Sequence, residues 1–290
     1  MQPIGAAYDP IKNSRRDLVV LVTGFGDFGG VTNNPAGAVA KKVDGSRVDV
    51  TQPWGTVHAR IVGVGDVPVN FQDDSPEHQN NKDADIEEYI QTIKKHDREA
   101  ITRIPGPQFV AAEIEMNHPD VVISLGCDAG EQQIRVEREA HNIIRMDAAA
   151  NDGYYKHAAG AVPYTTKDGA KGYLHDGDTF QTLRARLPVS DIVVAISRAG
   201  IPAHDGSDPG SYVCENVMWE VLHEIDNPRA GCHILRGGFI HLPLANPART
   251  VAKMANCIVE AVRATLKDIK PEEWPAGDPS ALRVGGYKAY

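Results

Sequence analysis

Residues 18–23, LVVLVT, constrain the fold more than any other segment of this chain. Five apolar residues and a threonine follow one another with no polar face. That pattern suits a strand covered on both sides, and such strands belong to parallel sheets packed between helices. Similar runs at 121–125, 192–197 and 238–242 read as further strands. Between them, amphipathic stretches at 36–42, 108–117, 212–225 and 251–266 read as helices. Strand and helix in alternation predict an α/β fold: a single three-layer domain over 1–290, with a mostly parallel twisted sheet and helices on both faces. Residues 71–106 begin polar (QDDSPEHQNNKD), turn charged and helical, and end at Pro-Gly-Pro, which reads as a surface insertion. The stretch 270–290, rich in Pro, Gly and charge, reads as a loosely packed tail.

Bulk properties exclude several classes. Hydrophobic residues are 42% and charged residues 24%, values of a soluble globular protein. A net charge of −9 without a Lys/Arg stripe argues against nucleic acid. No apolar run approaches the roughly 18 residues of a membrane helix, and the N-terminus lacks the apolar centre of a signal peptide. The four cysteines, Cys127, Cys214, Cys232 and Cys257, are too sparse for a disulfide framework, so a reducing cytoplasm is the expected address. No Cys/His spacing matches a metal site, and neither metal nor cofactor is expected.

Four segments carry chemistry. TGFGDFGG at 23–30 contains Gly24-x-Gly26-x-x-Gly29, but the chain runs on to Pro35 before a helix can start. A dinucleotide pyrophosphate needs the helix to open at the third glycine, so this loop, with Phe25 and Phe28, fits a pocket wall better. In the second segment, Pro209 and Gly210 turn into a helix starting near residue 211, where Val213, Val217, Val221 and Ile225 recur every four residues. Cys214 therefore lies in the first turn. Unpaired N–H groups and the helix dipole stabilise a thiolate there, whereas an isolated cysteine is usually a buried structural residue.

His241 ends the apolar run before Pro243, at a strand terminus, and becomes a candidate base once paired with Cys214. In the fourth segment a strand runs out through a glycine turn into a second extended stretch carrying Glu137 and Glu139. A carboxylate from this stretch could orient His241, and these residues alone do not separate the two acids.

Taken together, these segments resemble the pyroglutamyl-peptidase I family, the pyrrolidone-carboxylate peptidases. The resemblance covers GFGDFGG with Asn34-Pro35, Val67-Pro68-Val69, Pro119-Asp120 with the next strand, residues 134–142, Gly210-x-x-x-Cys214 and residues 237–243. The family's Glu-Arg-x-Ala-x-Asn pattern fits Glu137, with Arg138, Ala140 and Asn142, and not Glu139. What the resemblance implies is an amidase that removes N-terminal 5-oxoproline from small peptides, with Cys214 as nucleophile, His241 as base and Glu137 orienting it. The lactam slot would match Phe25, Phe28, Tyr212 and Val213, with Asn34 at the family's asparagine position, and a homotetramer would be the assembly. The chain departs from the family at Asp147, where an arginine near the oxyanion is usual, at Asp27 in place of proline, and at Glu215 after the cysteine. Those departures keep two alternatives open, a different amide or lactam substrate and a catalytically idle binding homologue.

Overall fold

The run that begins at Leu18 is buried along its whole length and forms β1 (Leu18–Phe25) at the centre of the sheet. The computed structural model describes residues 16–27, 32, 34–69, 82–102, 104–141, 181–207, 210, 213–229 and 231–274. After β1 come α1 (Pro35–Val43), β2 (Arg47–Gln52), β3 (Gly55–Val67), α2 (Lys82–Lys94), α3 (Arg98–Ile101) and α4 (Gly106–Asn117). The chain continues through β4 (Val121–Cys127), β5 (Ile134–Glu137), β6 (Glu139–His141) and β7 (Thr182–Arg184). It then forms α5 (Val189–Arg198), β8 (Ala203–Gly206), α6 (Val213–Asp226), β9 (Arg236–Leu242) and α7 (Val251–Asp268).

Seven strands form one sheet in the order β2-β3-β1-β4-β9-β5-β8, and β6 pairs with β7 separately. The centre, β3-β1-β4-β9, is parallel. β2 runs antiparallel to β3 at one edge. At the other side β5 runs antiparallel to β9, and β8 follows β5 in parallel. The sheet thus reverses direction at the β9–β5 junction.

Both faces are covered, because the central strands carry apolar side chains up and down. On one face, Val39 and Ala40 of α1, Ile192 and Ile196 of α5, and Ile258 and Val262 of α7 pack against Val20, Ile123 and Ile240. On the other, Val110 and Ile114 of α4 and Val217 and Val221 of α6 pack against Leu21, Val122 and Phe239. The expected α/β three-layer architecture is what forms. Asp120, buried just before β4, accepts the Val19 N–H at 2.8 Å and both arms of the Arg16 fork at 2.5 and 2.7 Å. An unpaired carboxylate there would cost several kcal/mol.

Three expectations need correction. Residues 192–197 are not a strand but the middle of α5. The β-branched run masked a helical spacing, since Val189, Ile192 and Ile196 are the buried positions, Val193 and Ala195 are half-buried beside them, and Ser190, Asp191 and Val194 are exposed. The strand expected there is instead β8, a short half-exposed edge strand of sequence AHDG that has no apolar run to announce it. The insertion is also not wholly a surface feature. Residues 70–81 lie outside the described residues, while α2 buries Ile86 and Ile90 against Ala111 and Ala112 of α4. Finally, the tail does not loosen at residue 270. Arg236 holds Asp268 at 2.7 Å and Glu273 at 2.9 Å, and buried Trp274 meets Trp54 edge-on with ring centroids 5.5 Å apart. Residues 275–290 lie outside the described residues.

Candidate active site

The β9–β5 junction gathers polar residues on one face of an otherwise apolar sheet. His241 pairs across the strands with Arg135, and Gly126 of β4 flanks it on the other side. Because side chains alternate along a strand, Arg135, Glu137 and His241 all project to the face that α6 covers. Gly126 leaves the ring its space: a Cβ there would stand 2.9 Å from His241 Cδ2 and 2.7 Å from the Phe239 ring. The imidazole also packs against Phe239, with centroids 4.9 Å apart.

His241 Nδ1 lies 2.7 Å from Glu137 Oε1, and Glu137 is 0% exposed. An ionised carboxylate only accepts, so Nδ1 carries the hydrogen and Nε2 is left as the basic nitrogen. Glu137 is therefore the acid brought to the histidine, as its sequence pattern implied. Glu139 lies instead on β6, 3.7 Å from His141.

Cys214 is the second residue of α6, in the first turn as the glycine turn and valine spacing predict. It is partly buried, while the other three cysteines are buried and all four are free. Desolvation pushes its thiol well above the ordinary range, and the negative charges of Glu137, Glu215 and Asp128 add to the rise. Burial and these acids oppose the stabilisation that the helix terminus offers a thiolate. Glu215, the residue after the nucleophile position, is itself fully buried. It accepts the His141 backbone N–H and lies 3.4 Å from that ring's Nδ1, which ties α6 to β6. Among the described residues no hydrogen bond joins Cys214 to His241. Catalytic contacts of this kind often form only when substrate is bound.

The pocket residues divide. Phe25 is buried in the core, its ring centroid 6.3 Å from that of Phe239. Val213 opens α6 and is also buried in that cluster. Asn34 engages both ends of its amide within the first loop, accepting the Ala36 N–H at 3.0 Å and donating to the Gly26 carbonyl at 2.8 Å. It caps α1, and Asp27 accepts its backbone N–H at 2.8 Å, which gives that departure from the family a structural part. Phe28, Tyr212, Asn142, Arg145 and Asp147 lie outside the described residues.

Arg135 is the site residue that sequence reasoning missed. Its Nε lies 2.7 Å from Glu137 Oε1, the same oxygen that His241 uses. Its signal was a guanidinium two residues before Glu137 on a short strand, hence on the same face. Among the described residues, no group of three or more His, Cys, Asp or Glu could hold a metal ion, and no helix is long and apolar enough to cross a membrane.

Comparison with known proteins finds related sequences and a shared fold. The pyrrolidone-carboxylate peptidase of Chromobacterium violaceum is 27% identical over 270 residues, covering 89% of this chain and 97% of that protein. The Streptococcus pyogenes serotype M1 protein of the same name is 29% identical over 257 residues, covering 86% and 91%. Among solved structures, the pyrrolidone carboxyl peptidase of Thermococcus litoralis superposes with a TM-score of 0.57 at 24% identity, covering 87% of this chain and 98% of that one. Pyroglutamyl peptidase I of Bacillus amyloliquefaciens gives 0.57 at 22% identity, covering 86% and 97%. At these identities the structures establish a shared fold. The pyroglutamyl peptidase family model matches residues 106–270, more than half of the sequence and all of β5, α6 and β9, and the chain belongs to that family.

Proposed function

We propose that this protein is a cysteine peptidase that removes an N-terminal pyroglutamyl residue from peptides, with Cys214 as nucleophile, His241 as general base and acid, and Glu137 as the group that orients the imidazole. The observation that carries this reading is the 2.7 Å contact between His241 Nδ1 and the fully buried Glu137, beneath the helix whose first turn holds Cys214.

The chemistry follows from a thiol that is protonated at rest. Nε2 of His241 takes the proton as Sγ attacks the pyroglutamyl carbonyl carbon, so a C–S bond forms and the carbonyl oxygen gains the negative charge. The backbone N–H groups of the first turn of α6 are the donors proposed for that oxygen. Collapse breaks the C–N bond, and the departing amine takes the proton from Nε2. Water then gives a proton to Nε2 and attacks the thioester, releasing pyroglutamate and restoring the thiol. Glu137 stabilises the imidazolium in both halves. By family resemblance Phe25, Phe28, Tyr212 and Val213 would make the slot for the lactam ring. Asn34 shapes the adjoining loop, and any contact it makes to substrate uses the second N–H or second lone pair of its amide.

The chain works in this reading without metal or cofactor, in a reducing cytoplasm suited to its free thiols, and as a homo-oligomer whose size a light-scattering measurement would give. The activity is tested by amine release from pyroglutamyl-aminomethylcoumarin beside its alanyl and prolyl analogues. Selective release from the pyroglutamyl compound is expected. Equal rates on all three, or release from none, would overturn the assignment.

A further inference from the structure

The His241–Glu137 pair has a third member. Oε1 of Glu137 lies 2.7 Å from His241 Nδ1 and 2.7 Å from Arg135 Nε, while Oε2 of the same carboxylate is buried without a hydrogen-bond partner among the described residues. Arg135 Nη2 stands 3.5 Å from His241 Nδ1. Its Nη1 is anchored on the opposite side, 3.1 Å from Asp128 and 2.8 Å from Glu131. The side chain is only 15% exposed, and Gly206 of β8 leaves room for its stem, since a Cβ there would stand 2.6 Å from Arg135 Cδ. Each nitrogen of the guanidinium thus has a defined neighbour, and the fork is held in one place.

We propose that Arg135 is a positioning residue for this pair: it holds the carboxylate oxygen that the imidazole also uses, stands its cationic fork against Nδ1, and so keeps His241 in the neutral form that can accept the Cys214 proton. This rests on the function proposed above. The reason is electrostatic. A buried carboxylate facing an imidazole alone draws a proton onto the ring, and the pair then rests as imidazolium and carboxylate, with no base for the thiol. The other groups around ring and thiol push the same way. They are the acids Asp128 and Glu131 in the turn after β4 and Glu215 on α6, while Cys127 and Cys214 add no charge as thiols. His204 of β8 lies beyond Glu131, 3.6 Å from it, and Asp205 is taken up by Arg138. Among the described residues Arg135 is the one fixed cation in that set touching the pair. It offsets part of the Glu137 charge and, 3.5 Å from the ring, disfavours a second positive charge on the imidazole when Nε2 takes a proton.

The test compares wild type, Arg135→Met and Arg135→Lys in two measurements. The first is the pH dependence of kcat/KM on a pyroglutamyl amide. The second is the NMR titration of the His241 imidazole, assigned by its loss in His241→Ala, which needs no substrate. Arg135→Met should move the acid limb of the profile and the imidazole midpoint upward together by about one pH unit or more. The rate at pH 6 should fall about tenfold or more, with KM little changed and much of the rate recovered at alkaline pH. Arg135→Lys, which keeps the charge and loses the fork, should move both in the same direction by less, and it decides the matter if Arg135→Met fails to fold. A loss of rate equal at every pH, or an imidazole midpoint unmoved in a folded variant, overturns the proposal. If wild type turns over no pyroglutamyl amide, the function fails and the titration alone judges Arg135. Normal turnover with an unmoved titration removes Arg135 and leaves the function standing.

Discussion

Glu137 and Gly206 sit opposite each other in the β5–β8 ladder, and the carboxylate occupies the space a side chain at position 206 would fill. A Cβ on Gly206 would stand 2.6 Å from Glu137 Oε2, well inside van der Waals contact. Gly206→Ala should therefore displace Glu137 from His241 as well as strain the sheet. Overpacking of this kind costs roughly 1–3 kcal/mol, read as a lower urea midpoint. Activity should fall further than that loss of stability explains, at temperatures where the variant is fully folded. Full specific activity in Gly206→Ala would show that the Glu137 contact is dispensable.

The three proposed catalytic residues should fail in different ways. Cys214→Ser should abolish amide hydrolysis with the fold intact, and His241→Ala should remove activity at every pH. Glu137→Gln should leave a measurable rate, lower by roughly 10²–10⁴, because the base remains while its orientation and charge support are lost. Mutating Cys232 or Cys257, both buried in the core, should leave turnover near wild type in protein that folds. Steady-state kinetics on the pyroglutamyl amide separates these outcomes. A Glu137→Gln enzyme as fast as wild type would reduce that acid to a structural group.

Alkylation reports the state of the thiol. Burial, with the acids around it, raises Cys214, and burial raises Cys127 and Cys232 to about 11. A raised thiol forms its thiolate only at higher pH, so the iodoacetamide rate should climb through the alkaline range without a plateau near neutrality. Peptide mapping should still find Cys214 labelled first, since it is the one thiol among the four that is not buried. A rate that levels off below pH 7 would mean a preformed thiolate–imidazolium pair and a different resting state.

Glu113 lies on the buried side of α4 with a single side-chain partner, Asn117 Nδ2 at 2.9 Å. Desolvation raises it from 4.5 to about 7. Below pH 4.5 the carboxyl is neutral in both folded and unfolded chains, and its contribution to stability is fully present. As pH rises, the unfolded chain releases this proton first, and the contribution is lost by about pH 7. The loss is on the order of 3 kcal/mol. Glu113→Gln removes the ionisation, so it should be more stable than wild type at pH 8 and nearly equal at pH 4 in urea unfolding. Equal stability at both pH values would show that the native carboxyl is solvated.

The chain alone determined the parts of this protein whose signals are local. The buried run of β1, the glycine turn before α6, the four-residue spacing of Val213, Val217 and Val221, and the histidine at the end of β9 all depend on neighbours a few positions away. Periodicity and caps encode such features directly. The same local signals misled at residues 192–197, where β-branched side chains suit a strand in isolation but the tertiary fold uses their three- and four-residue spacing as one face of α5. What only the tertiary structure decided are relationships between distant residues. Glu137 and His241 are 104 positions apart, and Arg135 and His241 are 106 apart. Their meeting depends on the register of two antiparallel strands, which no short window of sequence contains. The upward push on the Cys214 thiol was invisible for the same reason, because desolvation belongs to the packed site and not to the residue. A helix N-terminus favours a thiolate, and the burial and acids that fold around Cys214 push the other way.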